Sequence, residues 1–94
     1  MITRIVKLSI KEENKNEFIS LFKKFKNDIV SSEGCFEVEF FQDKSQSSIF
    51  FTVSRWKNEN ALEQYRNSAL FALIWPTVKP MFSKKAEAWT IQEV

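Results

Sequence analysis

Cys35-Phe36-Glu37-Val38-Glu39-Phe40-Phe41, then Gln42-Asp43-Lys44-Ser45-Gln46-Ser47-Ser48, then Ile49-Phe50-Phe51-Thr52-Val53-Ser54-Arg55-Trp56: this stretch decides the fold. In its first run Phe36, Val38 and Phe40 alternate with Glu37 and Glu39. That period of two is the mark of a half-buried strand. The middle run holds no apolar residue and reads as a hairpin loop, although it lacks the Asn-Gly pair of a tight turn. The last run is apolar on both faces through Ile49, Phe50, Phe51, Val53 and Trp56, and a strand of that kind is usually covered on both faces.

Upstream, Ile2 to Ile10 places Ile2, Val6, Leu8 and Ile10 on one side and Thr3, Lys7 and Ser9 on the other, a second strand. Phe18, Leu21, Phe22, Phe25 and Ile29 then recur at three- and four-residue steps, predicting an amphipathic helix from about Glu13 to Ser31. Glu12, Glu13 and Glu17 lie at its start and lysines in its middle, the order that the helix dipole favours. Gly34 follows where a left-handed helix cap would need it. Downstream, Asn58 is a natural N-cap for a helix over Glu59–Asn67. Ser68 can restart a helix over Ala69–Trp75, which Pro76 is expected to interrupt or kink. A last strand is predicted over about Lys84–Glu93.

The order is β-α-β-β-α-β with the second helix broken in two. That is the split βαβ, ferredoxin-like α+β arrangement: one four-stranded antiparallel sheet with helices on one face. Large apolar residues stand on both faces of the later strands, so one ring-rich sheet face would be left in water. A second copy stacked sheet to sheet, a two-fold homodimer, is the expected remedy.

Composition narrows the chemistry. The 94 residues include no histidine, so Ser-His-Asp and Cys-His relays, His-ligated zinc and an axial histidine on haem are unavailable within the chain. One glycine cannot build a phosphate loop or a dinucleotide fingerprint. A formal net charge of +2 is too weak and dispersed to point to nucleic acid or an anionic membrane. Lys23, Lys24 and Lys26 read as the wet side of the first helix. The longest apolar run, Ala69 to Trp75, is far too short to span a bilayer, no leader pattern opens the chain, and Cys35 has no partner for a disulfide. A cytoplasmic protein is the expectation. Against these absences stand ten phenylalanines, three tryptophans and one tyrosine, more ring surface than so small a core needs.

Four features invite a chemical reading. Cys35 lacks a base and reads better as a small buried hydrophobe. Glu37/Glu39 and Glu87/Glu93 form acid–base candidates, but alternating carboxylates on strands are more often cross-strand partners of cations. Arg4 interrupts an apolar strand face, where it can steer an anionic or phenolate group into a pocket or simply reach the rim. Tyr65, on the same helix side as Leu62 and ten residues before Trp75, can donate one directed hydrogen bond into a ring-lined pocket, or serve as a core tyrosine.

Glu33-Gly34-Cys35, Phe41-Gln42-Asp43, Phe50-Phe51, Ser54-Arg55-Trp56, Ala61 to Ser68 and Ala86-Glu87-Ala88-Trp89, in this order, resemble the antibiotic biosynthesis monooxygenase (ABM) family. The resemblance covers nearly the whole chain and implies a single ABM-like domain over residues 1–94, forming a dimeric ferredoxin-like barrel. It further implies oxidation of a small phenolic or hydroquinone-type ring by O₂ without metal or organic cofactor. By that resemblance Tyr65 is the catalytic residue, with Arg4, Arg55, Trp75, Phe22 and Trp56 around the substrate. Haem-degrading relatives carry asparagine, tryptophan and an axial histidine where this chain has Val6, Tyr65 and Trp75, which argues against haem breakdown. Other relatives carry a histidine at the position of Tyr65 or of Asn67, so acid–base work would fall to Tyr65, Arg4, Arg55 or water. The rival expectation is a non-catalytic dimeric domain that binds a small apolar metabolite.

Overall fold

The computed structural model describes residues 1–94. Strand β1 (Ile2–Ser9) leads through a short 3₁₀ turn at Glu12–Asn14 into helix α1 (Lys15–Val30). Strands β2 (Cys35–Gln42) and β3 (Ile49–Trp56) form the hairpin, helices α2 (Glu59–Arg66) and α3 (Ala69–Val78) follow, and β4 (Glu87–Ile91) closes the chain. The sheet order is β2-β3-β1-β4 with every neighbour antiparallel, as the split βαβ reading requires.

Register assigns the faces. Ile2 lies opposite Trp56, Val6 opposite Thr52 and Leu8 opposite Phe50, so even-numbered residues of β1 and β3 turn together toward the helices. On β2, Val38 and Phe40 pair with Ser54 and Thr52 and share that face. Helix α1 lays its buried stripe, Phe18, Phe22 and Ile29, on this face. There Phe18, Phe22, Phe40 and Phe50 form a cluster with ring centroids 4.6–6.0 Å apart. The opposite face carries Ile5, Phe41, Phe51, Val53, Trp89 and Ile91 as an apolar diagonal. Phe41, Trp89 and Ile91 remain nearly half exposed in the single chain. Arg55 with Glu37 and Glu39, and Lys7 with Glu87, flank that diagonal as cross-strand ion pairs. Those glutamates are thus partners of cations, as the alternation suggested.

The loop after β2 turns without Asn-Gly. The Asp43 carboxylate instead accepts from the Ser45 and Gln46 backbone N–H groups at 3.1 and 2.8 Å. Gly34 plays a different role from the expected helix cap. Helix α1 ends at Val30 with Ser31 as its cap, and Gly34 sits in the following turn, closed by the Cys35 N–H donating to the Ser32 carbonyl at 3.0 Å. Its φ of +80° suits glycine, and a Cβ there would stand 2.6 Å from the Ala61 Cβ. Only hydrogen fits between this turn and α2.

Two further boundaries differ from expectation. Helix α3 passes through Pro76 to Val78 rather than stopping there. Pro76 is exposed, so its ring is met by solvent, and the Thr77 hydroxyl donates to the Leu73 carbonyl at 2.7 Å. Strand β4 is shorter than Lys84–Glu93. Phe82 bridges Ile10 and Glu87 pairs with Lys7, so the chain advances five positions while β1 advances three. The two extra residues leave Lys85 and Ala86 outside the ladder with β1. No helix is long and apolar enough to cross a membrane.

Candidate functional site

A cavity of about 460 Å³ lies between the inner sheet face and helices α2 and α3. Its origin is a mismatch of side-chain size. Ala88 of β4 and Ala86 just before it are the apolar groups that the end of the chain brings to this space, whereas the facing helices bring Tyr65, Phe71 and Trp75, with Phe82 beyond them. Small residues opposite large rings leave a gap that neither wall closes. Caps at the start of α2 and at the elbow between the helices aim those rings. The Asn58 side chain accepts from the Ala61 N–H at 2.9 Å to start α2. The Ser68 hydroxyl donates to the Tyr65 carbonyl at 2.6 Å and accepts from the Phe71 N–H at 3.1 Å. One serine therefore ends α2, starts α3 and fixes Tyr65 and Phe71 on the same side.

Five rings form a continuous arc along this wall. Tyr65 stacks on Trp56 with centroids 5.1 Å apart and meets Phe71 edge-on at 5.4 Å. Phe71 stacks with Trp75 at 5.7 Å, and Trp75 meets Phe82 edge-on at 5.4 Å. The surplus of aromatic residues thus divides into a packed core cluster under α1 and an arc beside a cavity.

Four of the six residues expected at a site converge on the cavity: Arg4, Phe22, Tyr65 and Trp75. Trp56 does not line it. Trp56 is fully buried behind Tyr65, its indole N–H donating to the Ser54 hydroxyl at 2.9 Å. Arg55 is placed on the other face of the sheet, where its guanidinium donates to Glu37 at 2.8 Å and to the Thr3 hydroxyl at 3.2 Å. Alternation along β3 puts Ser54 and Trp56 inward and Arg55 outward, so Arg55 has no access to the cavity. Phe71 and Phe82, and the hydroxyls of Thr52 and Ser54, are lining groups that sequence reasoning missed. A polar Thr52-x-Ser54 pair between Phe50 and Trp56 on a core-facing parity was the available signal.

The polar groups have spare hydrogen-bonding capacity. The Tyr65 hydroxyl takes part in no hydrogen bond within the chain, yet no enclosed side-chain N or O atom lacks a partner, so that oxygen opens onto accessible space. Burial pushes the Tyr65 phenol well above its ordinary value of 10, with the neighbouring Cys35 adding to the shift. At neutral pH it is a hydrogen-bond donor and not a base. Burial also raises the Cys35 thiol above its ordinary 9.0. Both groups hold protons in the folded chain that the unfolded chain releases. Their stabilising contribution is therefore complete below about pH 9 and declines as pH rises toward their folded values. We expect the urea midpoint to be flat from pH 7 to about 8.5 and to fall above pH 9, with Tyr65→Phe flattening part of that fall.

A four-stranded antiparallel sheet with helices on one face and a ring-lined cavity between them defines a ferredoxin-like α+β protein. Residues 1–74 match the family model for antibiotic biosynthesis monooxygenase, and the chain belongs to that family. The chain is 26% identical over 80 residues to an uncharacterized protein of Synechocystis sp., covering 85% of this chain but about half (54%) of that relative's length. Among solved structures, a conserved protein of Methanosarcina mazei Go1 superposes with a TM-score of 0.92 at 26% identity, over 100% of this chain and 94% of that one. A protein of Nitrosomonas europaea gives 0.93 at 14% identity, over 100% and 99% of the two chains, a likeness of fold alone. Val6, Tyr65 and Trp75, the three positions at which the resemblance set haem-handling residues of relatives, all line the cavity. None of the three is a histidine and the chain holds none, so the axial ligand those relatives use has no counterpart here, and burial holds the Tyr65 phenol protonated.

Proposed function

We propose that this protein is a monooxygenase that oxidises a small phenolic or hydroquinone-type ring with O₂, acting as a face-to-face homodimer. The observation that carries this reading is Tyr65, its hydroxyl without an internal partner, among the residues that line an apolar, ring-lined cavity in an ABM-family chain. The chemistry asks little of the protein. A phenol with hydrogen at its para carbon loses its O–H proton to water, and the phenolate passes one electron to O₂. The resulting radicals join at the para carbon as a hydroperoxide, which expels water to leave a quinone. For the simplest ring, C₆H₆O + O₂ gives C₆H₄O₂ + H₂O, with all four electrons drawn from the substrate. Tyr65 holds the substrate oxygen by donating a hydrogen bond, and the cationic side chains around the cavity favour the phenolate over the phenol.

Oxygen uptake by purified protein with a panel of phenols and 1-naphthols that carry hydrogen para to the hydroxyl is the direct test. Uptake with one oxygen atom recovered in the product supports the reading. Ligand-induced thermal stabilisation without any uptake sinks the catalytic claim and leaves a binding protein. The dimer rests on the apolar diagonal of the outer sheet face and on family membership. Light scattering is expected to return twice the mass of one chain, and a monomer at micromolar concentration would contradict it.

A further inference from the structure

The charges around the cavity are all of one sign. Arg4, Arg66, Lys79 and Lys85 contribute to its lining, and no carboxylate does, although the chain carries 12 acidic residues against 14 basic ones. Among these four, Arg4 stands apart. It sits on the central strand β1 at half-buried depth, in line with Val6 and Leu8, which also line the cavity. It belongs to no ion pair. Its single hydrogen bond runs from Nη1 to the Thr90 hydroxyl at 2.9 Å, leaving the remaining guanidinium N–H groups unpaired yet accessible. Arg66, by contrast, has Glu63 at 3.6 Å.

Position adds a second argument. Next to the apolar cavity lies a polar notch of about 360 Å³ formed by Glu59, Asn60, Glu63 and Thr90, and Arg4, Leu62 and Arg66 border both spaces. Arg4 therefore marks the boundary where an apolar chamber meets wet surface. A ligand anion placed there would keep its rings dry and its charge partly hydrated, and would give the guanidinium the bidentate partner it lacks. Burial and the nearby Arg66 charge both pull Arg4 below the ordinary range of an arginine, with Glu63 partly opposing them. An added anion would offset both influences.

We propose that the ring compound bound in this cavity carries a carboxylate, seated on the Arg4 guanidinium at the cavity mouth while the ring lies among Phe71, Trp75 and Phe82. The proposal rests on the reading of the cavity as a ligand site and names the class of ligand: hydroxylated aromatic acids over neutral phenols. Its test is a fluorescence titration with 6-hydroxy-2-naphthoate and the methyl ester of that acid, which keeps the ring and phenol but removes the charge. Wild-type protein is expected to bind the acid about tenfold or more tightly than the ester. Arg4→Gln should bring the acid down to about the ester's affinity, a loss far larger than any change in the ester, and Arg4→Lys should retain part of the preference. Circular dichroism and melting of each variant establish that the fold is kept. Equal binding of acid and ester, or an acid preference that survives Arg4→Gln, overturns the carboxylate while leaving the cavity a ligand site. Failure of both compounds to bind overturns the cavity reading itself, and the carboxylate with it.

Discussion

Tyr65→Phe is expected to lower turnover about 100- to 1,000-fold with little change in KM, the size of loss seen when one preorganised donor is removed from a developing oxyanion. The substitution is close to a clean deletion of one oxygen. Phenylalanine keeps the stack on Trp56 at 5.1 Å and the edge contact with Phe71 at 5.4 Å, and no internal hydrogen bond of the chain is lost with the hydroxyl. The fold should therefore survive, and any change in rate reports the hydroxyl. Because burial keeps that phenol protonated far above neutral pH, its role is to donate. Its hydrogen bond strengthens as the substrate oxygen gains negative charge, so the benefit appears in the transition state more than in the bound phenol. Steady-state oxygen uptake at saturating and limiting 1-naphthol separates the two parameters. An unchanged kcat, or a loss confined to KM, would remove Tyr65 from the chemistry and reduce it to a wall of the cavity. A rate that rises with pH through the Tyr65 ionisation would instead make it a base, against the direction of its shift.

What the sequence could reveal follows from the range of each interaction. Strand faces are set by a period of two, and β1 and β2 are readable because polar residues mark one side of each. Strand β3 is apolar on both sides, so its parity is ambiguous, and Arg55 falls on the face opposite the cavity from its neighbours Ser54 and Trp56. Helix α2 announces itself through Asn58, and α3 through Ser68, both of which cap as expected. Helix α3 is apolar nearly all round, from Ala69 through Val78, so nothing local selects Phe71 and Trp75 as the residues that face the cavity. The cavity is the least local feature. It depends on Ala86 and Ala88 arriving opposite the α2–α3 rings, and on two extra residues between Phe82 and Glu87 that stay outside the ladder with β1. Neither alanine looks informative until the strand that carries it is placed beside Val6. Gly34 shows the same limit, since its turn is readable nearby but the contact with Ala61 comes from another element.

Phe18→Ala is expected to be the most damaging single truncation in the core, costing about 3–5 kcal/mol. Phe18 is wholly buried and touches three other rings, Phe22, Phe40 and Phe50, at centroid distances of 6.0, 5.8 and 5.1 Å. It joins α1 to both strands of the hairpin, so no other single ring can move in to fill its place without giving up its own contacts. Against a total of about 5–15 kcal/mol for a domain of this size, such a loss takes a third or more of the stability. The same side chain also borders the cavity. Truncation therefore enlarges an existing space instead of opening an isolated void. The loss should sit at the upper end of its range in ligand-free protein. A ligand that fills the enlarged space should stabilise the truncated protein more than the wild type, shrinking the difference toward a limit set by the logarithm of the ratio of the two dissociation constants. Urea unfolding of wild-type and Phe18→Ala protein, with and without a bound hydroxynaphthoate, measures both quantities. A loss under 1 kcal/mol would mean that the four-ring cluster does not couple α1 to the hairpin. A ligand that stabilises the truncated protein no more than the wild type would mean that Phe18 and the binding space are separate.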